Sequence, residues 1–281
     1  MKRVFLPQNL GQLCRIMEEE PRAMVYAGGT DLLVKVHQNL IDPPSLICLD
    51  RIEDLKEVHE QGDEVMIGAC STHTSLFENP TIQSNFPVLV KALKVLGSPP
   101  IRNMGTIGGN ICTASPAADT LPPLYVLEAE VEIWSQNASR RMALRQFISG
   151  PGKTCLKAGE IISGIWIKKV PEYNLHHFEK VGQRKALAIA VVSLAAILKV
   201  SNSGIIEKAR LAWGSVGPMV VTSTQVEEAL IGQSLSLETL QKAQPLVDEA
   251  VNPIDDIRAS TWYRRAVAEN LLLRLFETKY D

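Results

Sequence analysis

Two glycine pairs are the residues of this chain whose type and spacing point to chemistry. One lies in Tyr26-Ala27-Gly28-Gly29-Thr30-Asp31-Leu32-Leu33. The other lies in Thr106-Ile107-Gly108-Gly109-Asn110-Ile111, with Ala114-Ser115-Pro116-Ala117-Ala118-Asp119 close behind it. Each pair sits in or beside an apolar run and is followed by a small polar residue. A backbone of this kind bends sharply, exposes its N–H groups and approaches a phosphate closely. Two such loops suit the two phosphates of a dinucleotide. The flanking residues matter, because 18 glycines in 281 residues make roughly one Gly-Gly pair expected by chance.

Other phosphate chemistries fit less well. No Gly-x-Gly-x-x-Gly is present, which disfavours a Rossmann site. Gly152-Lys153-Thr154 ends like a Walker A loop, but the glycine needed five positions earlier is Phe147. The Gly150-Pro151-Gly152 run reads as a turn instead. The cysteines at 14, 48, 70, 112 and 155 include no Cys-x-x-Cys pair, so zinc or an iron–sulfur cluster within this chain is not expected. They read as free thiols, and Cys112 directly follows the second glycine loop. The histidines at 37, 59, 73, 176 and 177 lack His-x-x-x-His spacing. No general acid, base or nucleophile stands out.

The elements that must position the loops can be read from periodicity. Apolar spacing predicts helices over 9–20, 31–38 and 87–96, the last stopped by Pro99-Pro100. Strands are predicted at 24–26, 45–49, 65–69, 130–134 and 161–167. Val170 to Asn174 reads as a linker. Beyond it, strands are predicted at 176–181, 189–200 and 205–213, then helices at 224–230, 237–250 and 260–277. Strands and helices mix without a βαβ rhythm, so the class is α+β. The expected domains are 1–173 and 174–281, the second a small antiparallel sheet backed by helices.

The two glycine segments, together with Gly150-Pro-Gly-Lys153, Glu160-Ile-Ile162 and Phe178-Glu-Lys-Val-Gly-Gln-Arg184, give the chain a specific resemblance. It resembles, over essentially its whole length, the FAD-binding subunit of molybdenum hydroxylases, the xanthine dehydrogenase and carbon monoxide dehydrogenase flavoprotein family. The resemblance implies a two-part N-terminal FAD-binding domain of the vanillyl-alcohol-oxidase-like (PCMH) type, then the smaller C-terminal domain. It implies an oxidoreductase with noncovalent FAD. Backbone N–H groups of Gly28, Gly29, Thr30 and Asp31 would hold one phosphate; those of Gly108, Gly109 and Asn110 would hold the other. Tyr26, Ala27, Leu32, Thr106 and Ile107 complete the loops. Asp31 is expected to point away, to cap the following helix or to bond a ribityl hydroxyl. By resemblance Asp119 accepts a sugar-type hydroxyl, Leu96 and Ile162 sandwich the adenine, Lys180 hydrogen-bonds the cofactor and Ile189 lies over the flavin ring.

The resemblance also implies partners: a molybdopterin-binding large subunit and a [2Fe–2S] small subunit, with NAD as a possible acceptor. Leu187 and Ala188 stand where some relatives are acidic, which leaves the acceptor open. An autonomous FAD oxidoreductase of the same fold and a scaffold without flavin are the alternatives. Composition adds exclusions. Lys plus Arg is 29 and Asp plus Glu 31, a net charge of −2 with no basic patch for nucleic acid. No apolar run is long enough to span a bilayer and no signal peptide is evident, so the chain is expected in the cytoplasm.

Overall fold

A computed structural model describes residues 3–184 and 186–278. Residues 1, 2, 185 and 279–281, which include both outer limits of the expected domains, lie outside the described residues.

The chain begins with strand β1 (Arg3–Phe5) and helix α1 (Leu10–Glu19). Asn9 starts that helix because its side chain accepts the Gln12 N–H at 2.9 Å, a cap worth about 1 kcal/mol. Strand β2 (Met24–Tyr26) enters the first glycine loop, α2 (Leu32–His37) leaves it, and β3 (Ser45–Cys48) lies between β1 and β2 in a parallel sheet. Next come β4 (Val58–Gln61), β5 (Glu64–Gly68), α3 (His73–Glu78), α4 (Pro80–Asn85) and α5 (Pro87–Val95). Helices α6 (Pro99–Met104), α7 (Ile107–Thr113) and α8 (Leu121–Val126) follow. Then come β6 (Glu130–Ser135), β7 (Ala138–Ala143), α9 (Leu144–Phe147), the small hairpin β8 (Ile148–Gly150) and β9 (Lys153–Thr154), and β10 (Ile161–Lys168). The last part runs β11 (Leu175–Gly182), β12 (Ala190–Val200), β13 (Ile206–Gly214), α10 (Thr224–Leu230), α11 (Leu237–Ala250) and α12 (Thr261–Leu273).

These elements form two compact units. The first comprises Met1–Glu78, Ser98–Ala114 and Ala129–Lys168. It holds the small parallel sheet and an antiparallel sheet of order β4-β5-β10-β6-β7. Leu13, Ile47, Ile52 and Leu55 are fully buried in one of its cores. The second comprises Asn79–Gly97, Ser115–Glu128 and Lys169–Asp281. Its sheet is antiparallel, β11-β12-β13, with α10, α11 and α12 packed against it. The central strand β12 reads Ala-Val-Val-Ser-Leu-Ala-Ala-Ile-Leu-Lys-Val and is buried along nearly its whole length. A strand covered on both faces carries such a continuous apolar run rather than alternation. Trp213 is wholly buried there, and its indole N–H reaches the Ala268 carbonyl at 3.2 Å.

Two local predictions need correction, and one helix went unpredicted. Pro99-Pro100 ends one helix but opens the next, α6, because proline fits the first helical turn, where its missing N–H costs nothing. The second glycine loop is itself the first turn of α7. Pro122 and Pro123 likewise sit at the start of α8, a helix that apolar periodicity did not reveal.

Candidate cofactor site

The candidate residues fall in both units, and each set has its own geometry. In the first unit, Tyr26 ends β2, and Ala27 and Gly28 carry the chain into a turn at Gly29, whose φ of 70° lies in the left-handed region. Among the described residues, the N–H groups of Gly28, Gly29, Thr30 and Asp31 have no protein acceptor. Successive unclaimed N–H groups around a left-handed residue make an anion-binding concavity. Gly28 is tied to the other loop's approach: a Cβ there would meet the Met104 carbonyl oxygen at 1.6 Å. Burial, and the nearby Cys48, push the Tyr26 hydroxyl up to about 12.

Asp31 occupies the cap position of α2 but makes no capping bond. Its Oδ2 accepts from Lys35 Nζ at 2.7 Å and from Thr113 Oγ1 at 3.3 Å. The carboxylate is thus turned away from the loop N–H groups and neutralised one helical turn on. Thr113, which sequence reasoning missed, joins the two loops from the far end of α7. Leu32 opens α2 and is half-buried.

The second loop is built differently. Thr106 caps α7, its Oγ1 accepting the Gly109 N–H at 3.1 Å. Gly108 donates to the Ala69 carbonyl at 2.9 Å, and Asn110 to the Thr106 carbonyl at 2.9 Å. Those N–H groups are engaged within the protein, whereas the first loop's are open. Gly108 is needed for packing, since a Cβ would lie 2.6 Å from the Ala69 Cβ. Gly109 is exposed, and a Cβ there would meet only the capping hydroxyl at 2.9 Å. An exposed helical glycine costs about 1 kcal/mol against alanine, so it is explained by an approaching ligand better than by the fold. Ile107 is fully buried, and Ile162 is buried in β10 beside an irregularity of its pairing with β6.

In the second unit, Asp119 and Lys180 meet, although 61 positions separate them. Lys180 Nζ donates to Asp119 Oδ2 at 2.6 Å and to the Val95 carbonyl at 2.8 Å. Both side chains are nearly buried. Burial raises the Asp119 carboxyl to about 6, against the downward pull of Lys180. Asp119 Oδ1 is buried with no hydrogen-bond partner. An acceptor left unmatched in this way costs about 1–3 kcal/mol, and a ligand hydroxyl would relieve it. Leu96 is buried at the end of α5. Ile189 precedes β12 and is 58% exposed, the opposite of an ordinary core isoleucine.

Within each unit the residues suit a part of FAD. In the first, the open N–H row suits a phosphate; in the second, the orphaned Asp119 oxygen suits a sugar-type hydroxyl and exposed Ile189 offers an apolar surface to a ring. Among the described residues, no group of three or more His, Cys, Asp or Glu side chains could hold a metal ion. Among the described residues, no helix is long and apolar enough to cross a membrane.

Comparison with known proteins gives the same direction. Residues 1–170 match the FAD binding domain in molybdopterin dehydrogenase, and residues 177–278 match the CO dehydrogenase flavoprotein C-terminal domain. The chain is 31% identical over 278 residues to the nicotinate dehydrogenase FAD-subunit of Eubacterium barkeri, covering 97% of this chain and 94% of that one. It is 30% identical over 259 residues to the xanthine dehydrogenase FAD-binding subunit of Escherichia coli O157:H7, covering 91% and 88%. Among solved structures, quinoline 2-oxidoreductase from Pseudomonas putida 86 superposes with a TM-score of 0.93 at 26% identity, covering 99% of this chain and 96% of that one. Carbon monoxide dehydrogenase from Hydrogenophaga pseudoflava gives 0.91 at 27%, covering 97% and 95%. The two-domain fold, the full-length matches and the loops together make this chain a member of the FAD-binding subunit family of the molybdenum hydroxylases, which are oxidoreductases.

Proposed function

We propose that this chain is the electron-transfer flavoprotein subunit of a multi-subunit molybdenum hydroxylase, most like xanthine dehydrogenase. The observation that carries the reading is the row of four unclaimed N–H groups from Gly28 to Asp31. In it, that row binds one phosphate of noncovalent FAD, and the exposed, side-chain-free surface at Gly109 lets the other approach α7, whose first-turn N–H groups are already engaged within the protein. Tyr26, Ala27 and Leu32 frame the first loop; Thr106, Ile107, Gly108 and Asn110 set the second. Asp119 Oδ1 accepts a cofactor hydroxyl, with Lys180 holding the carboxylate in place. Leu96 and Ile162 contact the adenine, and Ile189 covers the flavin ring.

The chemistry FAD supplies when bound is redox transfer between the [2Fe–2S] clusters of a partner subunit and NAD or another acceptor. The protein's own residues bind, orient and set the electrostatics around it. Substrate hydroxylation belongs to a partner large subunit carrying molybdopterin. Free thiols at 14, 48, 70, 112 and 155 accord with a reducing, cytoplasmic setting. Isolation of the native complex, followed by metal and cofactor analysis, tests the reading. FAD, iron and molybdenum should co-purify with this chain. Substrate turnover by the rigorously metal-free single chain would favour an autonomous oxidoreductase instead.

A further inference from the structure

Arg264 is among the few buried charged side chains of the second unit, 3% exposed. Nη1 donates to two backbone carbonyls, Val191 at 2.7 Å and Ser215 at 2.9 Å. Nη2 donates to Asp256 Oδ1 at 2.8 Å. Asp256 in turn accepts the N–H groups of Arg258 at 2.8 Å and Ala259 at 3.2 Å, which closes the loop leading into α12. Ion pairing and these donors hold the Asp256 carboxyl below its usual range despite the cost of burial. A buried guanidinium facing two carbonyls and one carboxylate is a strong, directional clamp.

What it clamps is informative. Val191 lies two residues after Ile189. Ser215 is a non-glycine residue at φ 64°, in the left-handed region. A residue held there stores on the order of 1–3 kcal/mol and persists where its surroundings over-determine it. The surroundings do so here. The Ser215 N–H donates to the Pro116 carbonyl at 2.9 Å, its hydroxyl donates to the Ala190 carbonyl at 3.1 Å, and its own carbonyl faces Arg264. Ser215 therefore ties the start of β12, where Ile189 stands, to the segment Pro116–Asp119. Arg264 fixes that tie from behind.

We infer that Arg264, acting through Ser215 and Val191, is a positioning residue for the cofactor: it sets the places of Ile189 and of the segment bearing Asp119. This inference rests on the reading that Ile189 and Asp119 face FAD. It concerns neither a ligand of the cofactor nor the loops already described. The clamp explains why a charge is retained in a core where an apolar side chain would pack more cheaply.

The test uses the full chain loaded with FAD, well below its melting temperature. Arg264→Met and Ser215→Ala are compared with Val226→Ala, a cavity variant in the same unit's core. Three quantities are read: melting temperature, FAD dissociation constant and the visible absorption band of the bound flavin. Arg264→Met is expected to weaken FAD by about tenfold, the scale of one charge-assisted hydrogen bond, and to shift the band. Ser215→Ala should act in the same direction, and Arg264→Lys should recover part of the loss. Val226→Ala should lower the melting temperature with the band unmoved. If Arg264→Met does not fold, Ser215→Ala carries the comparison, since it removes one hydroxyl. A loss of affinity no greater than that of Val226→Ala, with an unmoved band, overturns the inference. Ile189→Ala and Asp119→Asn test the underlying reading separately. If both bind FAD with wild-type affinity and spectrum, that reading falls and takes the inference with it. If they weaken FAD while the clamp variants do not, the inference alone falls.

Discussion

Gly28 and Gly152 show how differently two glycines can be required. At Gly28 a methyl group would stand 1.6 Å from a backbone carbonyl oxygen, and backbone cannot turn aside. At Gly152 nothing lies within 4 Å, and the residue is needed for its φ of 67°. Gly28→Ala should therefore displace the first loop and abolish FAD binding. Gly152→Ala should cost about 1 kcal/mol of stability and leave FAD bound. Equal FAD content in the two purified variants would contradict this placement of the phosphate loop. Gly109→Val should also release FAD, because it fills the exposed approach to α7 with two methyl groups. For the Asp119–Lys180 pair, Lys180→Met should leave a buried carboxylate without its counter-charge and push its pKa higher still. FAD titrations across pH 5 to 8 should then show binding that changes over a higher pH range than in the wild type.

At the scale of elements, α7 depends on its cap. Thr106 accepts the Gly109 N–H on its hydroxyl oxygen and the Asn110 N–H on its carbonyl, so one residue orders two of the second loop's N–H groups. Thr106→Val keeps the shape and removes the acceptor. It should destabilise the first unit by about 1 kcal/mol and weaken FAD more than that loss alone explains. Denaturant titration of the FAD-free and FAD-loaded chains separates the two effects. A variant destabilised equally with and without FAD would show that the cap serves folding alone.

For the whole molecule, acid stability follows from the buried titratable groups. Burial, helped by nearby positive charge, lowers His73 and His177 from 6.5 to about 4. Between those values the unfolded chain binds protons that the native chain refuses. Their contribution is complete above pH 6.5 and lost as the pH falls from there towards 4. Asp119 has the opposite sign: its carboxyl is raised from 3.8 to about 6, so its contribution is present below 3.8 and lost as the pH rises through 6. Two histidines outweigh one aspartate, and the net loss on acidification should be on the order of 3 kcal/mol. Thermal melts from pH 7 to 4 should fall accordingly, and the double variant His73→Gln, His177→Gln should flatten the curve. An unchanged slope in that variant would assign acid lability to other groups. Acid precipitation of the holoprotein should release all its yellow colour as FAD, as noncovalent binding requires.

Local signals were enough for much of this molecule. Asn9, Ser223, Ser236 and Ser260 mark helix starts by accepting N–H groups within three residues, an interaction between near neighbours that sequence displays directly. The antiparallel sheet of the second unit shows in its long apolar runs, and the two glycine pairs show in their composition. Other features depend on residues brought together from afar. The segments 79–97 and 115–128 pack with the later half of the chain, which no local pattern announces. The engagement of the Gly108 N–H by Ala69 and the pairing of Asp31 with Thr113 each join positions remote in sequence. So does the meeting of Asp119 with Lys180, and so does the Arg264 clamp. Periodicity and capping are set by neighbours along the chain, so the sequence by itself determined the longer periodic elements and the composition of the glycine loops. Burial, counter-charge and orphaned acceptors depend on which distant segments exclude water together, and those were decided by the tertiary structure.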